Sequence, residues 1–262
     1  MVPVPLTDDR QLRASGQFVA EGRFVVERLL RDRRWPIVEL ILTPAALASM
    51  RPSIDALPSG ARPPVRVVTP AALEAAAGFH FHQGCLAIAR RLPLPAWPAF
   101  MAAVGTSGPV VILESVRDPD NIGAIFRSAL GLGAAGVVLG PGCADPYYRK
   151  TIRTSMAAVL SLPFMVDSDT SWPRSLTSLR DHGFELVALT PEADAEPLPF
   201  AARRTGRRLA IVAGSEDRGL SRPVLDAADR RVRVPMSAGV DSLNVATAIA
   251  VSLYAFAHTP AP

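Results

Sequence analysis

The sequence predicts an α/β protein: a mostly parallel sheet covered by helices on both faces, preceded by a smaller α/β domain. Three observations carry this. Short β-branched runs alternate with helical segments from residue 110 to residue 257. A proline-rich stretch, Leu92–Phe100 (LPLPAWPAF), separates that region from what precedes it. The 262 residues are 49% apolar and 20% charged, a globular balance on a chain long enough to bury a sizeable core.

In the first part, Phe18–Leu30 carries Phe24, Val25, Leu29 and Leu30 at helical spacing. Ile37–Leu42, Val65–Val68 and Cys85–Ala89 read as strands, and Ala71–Ala77 as an alanine-rich helix. Prolines 93, 95 and 98 disfavour helix and sheet alike, so residues 94–104 are expected to be an extended linker between domains 1–93 and 105–262. In the second part the strands are Val110–Leu113, Val137–Leu139, Phe164–Val166, Glu185–Leu189, Leu209–Ala213 and Arg231–Val234. The helices are Asn121–Leu132, Tyr147–Leu160, Leu176–His182 and Leu243–Ala257. Apolar strands separated by helices are the pattern of a parallel sheet buried on both faces.

Basic residues outnumber acidic ones, 28 to 24, an excess that points toward a polyanionic partner. All but Lys150 are arginine, whose fork suits phosphate and stacked bases. Arg10, Arg13, Arg23, Arg28, Arg31, Arg33 and Arg34 crowd the beginning of the chain. A solvated charged face explains them as readily as an RNA surface does. Two cysteines, Cys85 and Cys143, support neither a disulfide framework nor a cysteine-rich metal site. Among the histidines only His80 and His82 are paired, and the pair is expected to be structural or on the surface, so no metal is expected. No apolar leader or membrane-length run is present, and a cytoplasmic protein is the expectation.

Gly131–Gly136 reads GLGAAG, but it follows a helix and enters a strand. A dinucleotide turn needs the reverse order, so these glycines are expected to end the helix. Three other segments carry chemistry. In the first, Asp118-Pro119-Asp120-Asn121 opens a helix that presents Arg127 one turn beyond the small residues Gly123 and Ala124. A local pairing with Asp120 is the competing reading of that arginine. In the second, the strand Ile211-Val212-Ala213 runs into Gly214-Ser215-Glu216-Asp217-Arg218-Gly219-Leu220-Ser221, where glycines let a ligand approach the main chain. In the third, a loop with Gly239 leads from Pro235 to a helix expected to open at Ser242 or Leu243. Asp241 or Ser242 would cap it, and Asn244 would lie in the first turn.

Together NIGAIFRSA, GSEDRGLS and PMSAGVDSLNVA resemble the signature motifs of the SpoU/TrmH-type RNA ribose 2′-O-methyltransferases of the SPOUT superfamily. The resemblance covers residues 110–257. FVAEGRFVVERLL, ILTP and HQGCLAIARR are similar to a substrate-binding domain related to ribosomal protein L30e. Asp217 stands where a glycine is frequent in the family, and Ala246 where a serine is frequent.

The resemblance implies a C-terminal deep trefoil knot, a fold that physics alone would disfavour. It implies S-adenosylmethionine as cofactor, without metal. It also implies a cofactor cleft at Leu189, Thr190, Ala213, Gly214, Glu216, Val234, Met236, Ser242, Leu243 and Asn244. The catalytic set it implies is Arg127 and Asn121 with Glu216, Ser242 and Asn244. The expected substrate is structured RNA, ribosomal RNA ahead of transfer RNA, and the expected assembly a homodimer. A decayed, RNA-binding relative without activity, or one acting on another RNA position, is the alternative.

Overall fold

The computed structural model describes residues 8–77, 84–106, 108–167, 170, 172–203 and 208–258. His80 and His82 lie outside the described residues. The chain divides into two compact units, residues 1–93 with 145–161 and residues 94–144 with 162–262.

The first unit begins with α1 (Asp9–Ala14), β1 (Gln17–Glu21), α2 (Arg23–Arg31), β2 (Ile37–Leu42), α3 (Pro44–Asp55), β3 (Val65–Val67), α4 (Pro70–Ala77) and β4 (Cys85–Arg90). Its sheet has the order β1-β4-β2-β3. β4 runs antiparallel to both β1 and β2, and β3 runs parallel to β2. The helix expected over Phe18–Leu30 is present only from Arg23. Phe18, Val19 and Ala20 are instead buried in β1. Gly22, at φ +91°, separates strand from helix with a backbone shape other residues resist.

The second unit opens with α5 (Trp97–Val104), β5 (Val110–Glu114), α6 (Pro119–Gly131) and β6 (Gly136–Leu139). α5 replaces most of the extended linker expected over 94–104. Pro98 falls in its first turn, where a missing N–H breaks no helical bond, and Phe100, Met101 and Val104 are buried in the unit's core. α6 ends as its glycines imply: the N–H of Ala134 donates back to the Ala129 carbonyl at 2.8 Å, across Gly133 at φ +77°.

From Asp145 to Ser161 the chain belongs to the first unit, although the sequence reading puts this stretch in the second domain. Its helix α7 (Arg149–Thr154) is shorter than the one expected over Tyr147–Leu160. Met156 and Ala157 take positive φ and stop it. Polar and aromatic contacts hold the stretch in place. Arg91 donates to Asp145 at 2.6 Å, and Arg153 donates to the buried Glu21 at 2.6 Å. The Trp35 indole donates to the Leu160 carbonyl at 3.0 Å, and Tyr147 stacks on Phe18 with centroids 5.4 Å apart.

The second unit resumes with β7 (Phe164–Val166), α8 (Thr177–Asp181), β8 (Phe184–Leu189), β9 (Glu196–Pro197), α9 (Leu198–Ala202), β10 (Arg208–Gly214), α10 (Arg222–Ala227), β11 (Arg230–Arg233) and α11 (Val245–His258). The sheet order is β7-β6-β5-β10-β8-β11-β9, and every pairing is parallel. β5 and β6 are buried along their whole length, which is why they read as unbroken apolar runs. Phe100, Ile112, Val138, Leu186 and Val212 share one core cluster. Each such side chain stabilises the unit by about 1.5–3 kcal/mol. α11 packs along α6, bringing the two motif-bearing helices side by side. Among the described residues no helix is long and apolar enough to cross a membrane.

Candidate active site

A parallel sheet delivers its loops to the carboxyl ends of its strands, where ligands of open α/β sheets bind. In the second unit the loops that follow β8, β10 and β11 enclose a cleft of about 710 Å³. Leu189 and Thr190 line it from β8, and Ala213, Gly214 and Glu216 from β10. Val234, Met236, Ser242 and Leu243 line it from the loop after β11. Nine of the ten residues expected at a cofactor cleft therefore share one cavity. The tenth, Asn244, does not line the cavity but bonds Glu216, which does.

The loop after β10 has little freedom. A Cβ on Gly214 would collide with the Gly219 carbonyl, so only glycine lets the two backbone segments meet. The N–H of Gly219 donates to the Ser215 carbonyl at 2.8 Å, closing the loop on itself. Gly219 itself sits at φ +64°.

Asn121, Glu216 and Asn244 converge from three segments. The Asn244 amide donates to Glu216 Oε1 at 2.6 Å and to Asn121 Oδ1 at 2.8 Å. Asn121 donates to the same Glu216 oxygen at 3.3 Å, as does the N–H of Val245. Asn244 Oδ1 in turn accepts from the N–H groups of Ala246 and Thr247. Asn244 is thus the N-cap of α11, and the helix starts at Val245, not at Ser242 or Leu243. Asp241 and Ser242 lie in the loop and face the cleft instead. The arrangement fixes both asparagines and one carboxylate oxygen at the cleft's edge.

Arg127 is placed differently. It lies six residues beyond Asn121, roughly 9 Å along α6 at 1.5 Å per residue. It is exposed, and it does not line the cleft. No described residue forms an ion pair or hydrogen bond with it, so the local pairing with Asp120 is not made. A guanidinium held out by a packed helix, without a partner among the described residues, is available to an external anion.

Glu192, Arg233 and Glu114 at this end of the unit lie outside the three motifs. Glu192, Asp217, Asp241, Arg218 and Arg233 also line the cleft, and with Glu216 four carboxylates face two guanidiniums there. Glu114 ends β5 with its carboxylate buried, and a charged residue closing an apolar strand run was the available signal. Neither cysteine offers a thiolate at neutral pH. Burial pushes the Cys143 thiol up to about 11 and the Cys85 thiol up to about 12. Among the described residues no group of three or more His, Cys, Asp or Glu side chains is placed to hold a metal ion.

Comparison with known proteins gives this geometry a family. Residues 108–254 match the model of the SpoU rRNA Methylase family. A Mycobacterium bovis protein, named as an uncharacterised tRNA/rRNA methyltransferase, is 41% identical over 237 residues, covering 90% of this chain and 79% of its own. A Bacillus subtilis 23S rRNA guanosine 2′-O-methyltransferase is 28% identical over 151 residues, 58% of each chain. The crystal structure of an AdoMet-bound rRNA methyltransferase from Sinorhizobium meliloti superposes with a TM-score of 0.80 at 23% identity, over 96% of this chain and 90% of the other.

Proposed function

We infer that this chain, an RNA methyltransferase belonging to the SpoU rRNA Methylase family, uses S-adenosylmethionine to methylate a ribose 2′-hydroxyl of structured RNA. The observation that carries the reading is the joint of Asn121, Glu216 and Asn244 at the edge of the cleft. The cleft suits the cofactor: Leu189, Val234, Met236 and Leu243 offer apolar surface, and Gly214 brings main chain to the wall. Its excess of carboxylates suits a cationic sulfonium.

Bound there, S-adenosylmethionine supplies an already activated methyl group, so the reaction needs no metal. The protein's task is to align the 2′-oxygen and manage its proton. Arg127 donates to the RNA phosphate beside the target ribose and stabilises negative charge developing on the oxygen. A guanidinium stays protonated, so it does not serve as a simple ground-state base. Asn121 orients the approach to the cleft, and Glu216, Ser242 and Asn244 shape it.

Ribosomal RNA is the preferred substrate class, supported by the family's description and by the 2′-O specificity of the Bacillus relative. The first unit binds RNA, supported by its exposed arginines, Arg10, Arg23, Arg31 and Arg33 among them. The C-terminal trefoil knot belongs to the same proposal. So does a homodimer through α11, which leaves Tyr254 58% and Val251 39% exposed on an otherwise apolar helix. In that dimer Arg127 serves the partner's cleft.

Mapping 2′-O-methylation in cellular RNA with and without the gene tests the function. One ribose position should lose its methyl group when the gene is removed. An unchanged ribose map alongside a lost base methylation would refute the proposal.

A further inference from the structure

The loop that forms one wall of the cleft is fixed at its far end by a residue the motifs do not contain. Glu114 is 6% exposed at the carboxyl end of β5. Its Oε2 accepts from the backbone N–H of Ser221 at 2.7 Å. Its Oε1 accepts from the Ser221 hydroxyl at 2.8 Å and from the Trp172 indole at 2.7 Å. Three donors meet one carboxylate, and no described cation pairs with it. A carboxylate, which can accept at both oxygens, takes all three contacts at once. A glutamine would set its NH₂ against either the Ser221 N–H or the Trp172 N–H.

Ser221 adds an independent sign. It occupies the N-cap of α10, where a serine hydroxyl ordinarily accepts from the helix's first N–H groups. Here it makes no such bond and donates to Glu114 instead. The residue before it, Leu220, is buried in the core and lines the cleft. The loop is therefore pinned at one end by the Gly214–Gly219 approach and at the other by Glu114.

We propose that Glu114 is a positioning residue for the cofactor: its buried carboxylate holds the Ser215–Ser221 loop in the shape that closes the cleft, without touching the ligand. This rests on reading the cleft as the S-adenosylmethionine site. Glu114→Gln then weakens S-adenosylmethionine binding at least tenfold. The loss appears in KM for the cofactor and not in kcat at saturation, and RNA affinity is unchanged. Ser221→Ala, at an exposed position outside the core, gives a smaller loss of the same kind. The double variant is no worse than Glu114→Gln alone, because both remove one anchor.

The experiment is calorimetric titration of S-adenosylmethionine into the full-length wild type and the three variants, with steady-state kinetics on the same samples. A merely structural role lowers the melting temperature and the active fraction, and so kcat, while KM stays put; that pattern overturns the proposal. Should Glu114→Gln fail to fold, Ser221→Ala decides alone: weakened cofactor binding upholds the proposal and wild-type binding overturns it. Wild-type affinity in both variants overturns the proposal alone. A wild type that binds no S-adenosylmethionine overturns the reading of the cleft, and the proposal with it.

Discussion

The first unit uses its polar side chains to hold chain segments together, whereas the second unit gathers its polar side chains at the carboxyl ends of an apolar sheet. In the first, Arg91–Asp145 and Arg153–Glu21 clamp residues 145–161 to β1 and its neighbours. In the second, the central strands β5 and β6 are buried along their length and almost wholly Val, Ile and Leu, and the polar joint of Asn121, Glu216 and Asn244 stands at the edge of a cleft. Removing a polar group should therefore cost stability in the first unit and function in the second.

The largest expected effect sharpens the first half of that contrast. Asp145 and Arg91 have side chains only 7% and 14% exposed. Asp145→Ala strands a mostly buried guanidinium and should lower the stability of the first unit by about 3 kcal/mol. Denaturant unfolding followed by hydrogen exchange checks this, and an unchanged midpoint would break the comparison. For the same reason, excising residues 1–93 leaves Tyr147 and Leu160 without their partners, and the remainder should aggregate.

Arg127→Ala probes the second half. The side chain is exposed and has no described partner, so the melting temperature should not move. Methyl transfer should fall at least about a hundredfold, the scale for losing one preorganised donor. Cofactor affinity by calorimetry should stay intact. A variant that transfers methyl groups at the wild-type rate would remove Arg127 from the chemistry.

Gly214→Ala is a smaller perturbation of the same end of the sheet. The added methyl meets main chain at Gly219, so the loop must shift, at roughly 1–3 kcal/mol. Cofactor affinity should drop while the first unit keeps its stability. Equal loss in both units would show that the polar ends and the apolar sheet are not separable.

The smallest effect is a pH dependence confined to the first unit. Burial raises the Tyr147 phenol from 10.0 to about 12, so the folded state favours its neutral form. That contribution is fully present below pH 10.0 and is lost as the pH rises toward about 12. Tyr147→Phe should lose less stability than the wild type across that window and differ little at neutral pH. Parallel loss in both proteins would mean that Tyr147 stays hydrogen-bonded and neutral there, or is already open to solvent.

Much of this contrast is legible in the sequence, for physical reasons. β5, β6 and β10 stand out because strands buried on both faces need unbroken apolar runs. Gly214 and Gly219 mark the loop after β10, whereas Leu189, Thr190, Val234 and Met236 follow from the family resemblance and from no local pattern. β1 was hidden because Phe18 and Val19 continue into a helical pattern, and Gly22 alone marks the break. α5 was hidden because its prolines fall where a helix tolerates them. α7 ends on positive φ at Met156 and Ala157, which no residue preference announces. Asn244 lost its capping role to Asp241 and Ser242, which are equally good caps on paper. Glu114 shows locally only as a charge closing an apolar strand run; its role is out of reach of a local pattern, because its partners Trp172 and Ser221 lie 58 and 107 residues away.

The central claim is tested most directly by identifying the product. The wild-type protein is incubated with protein-free ribosomal RNA and methyl-labelled S-adenosylmethionine, and the RNA is digested to nucleosides for mass spectrometry. The account predicts label on the ribose of a single 2′-O-methylated nucleoside, absent with Arg127→Ala. Label on a base, or no labelled nucleoside from either ribosomal or transfer RNA, would contradict it.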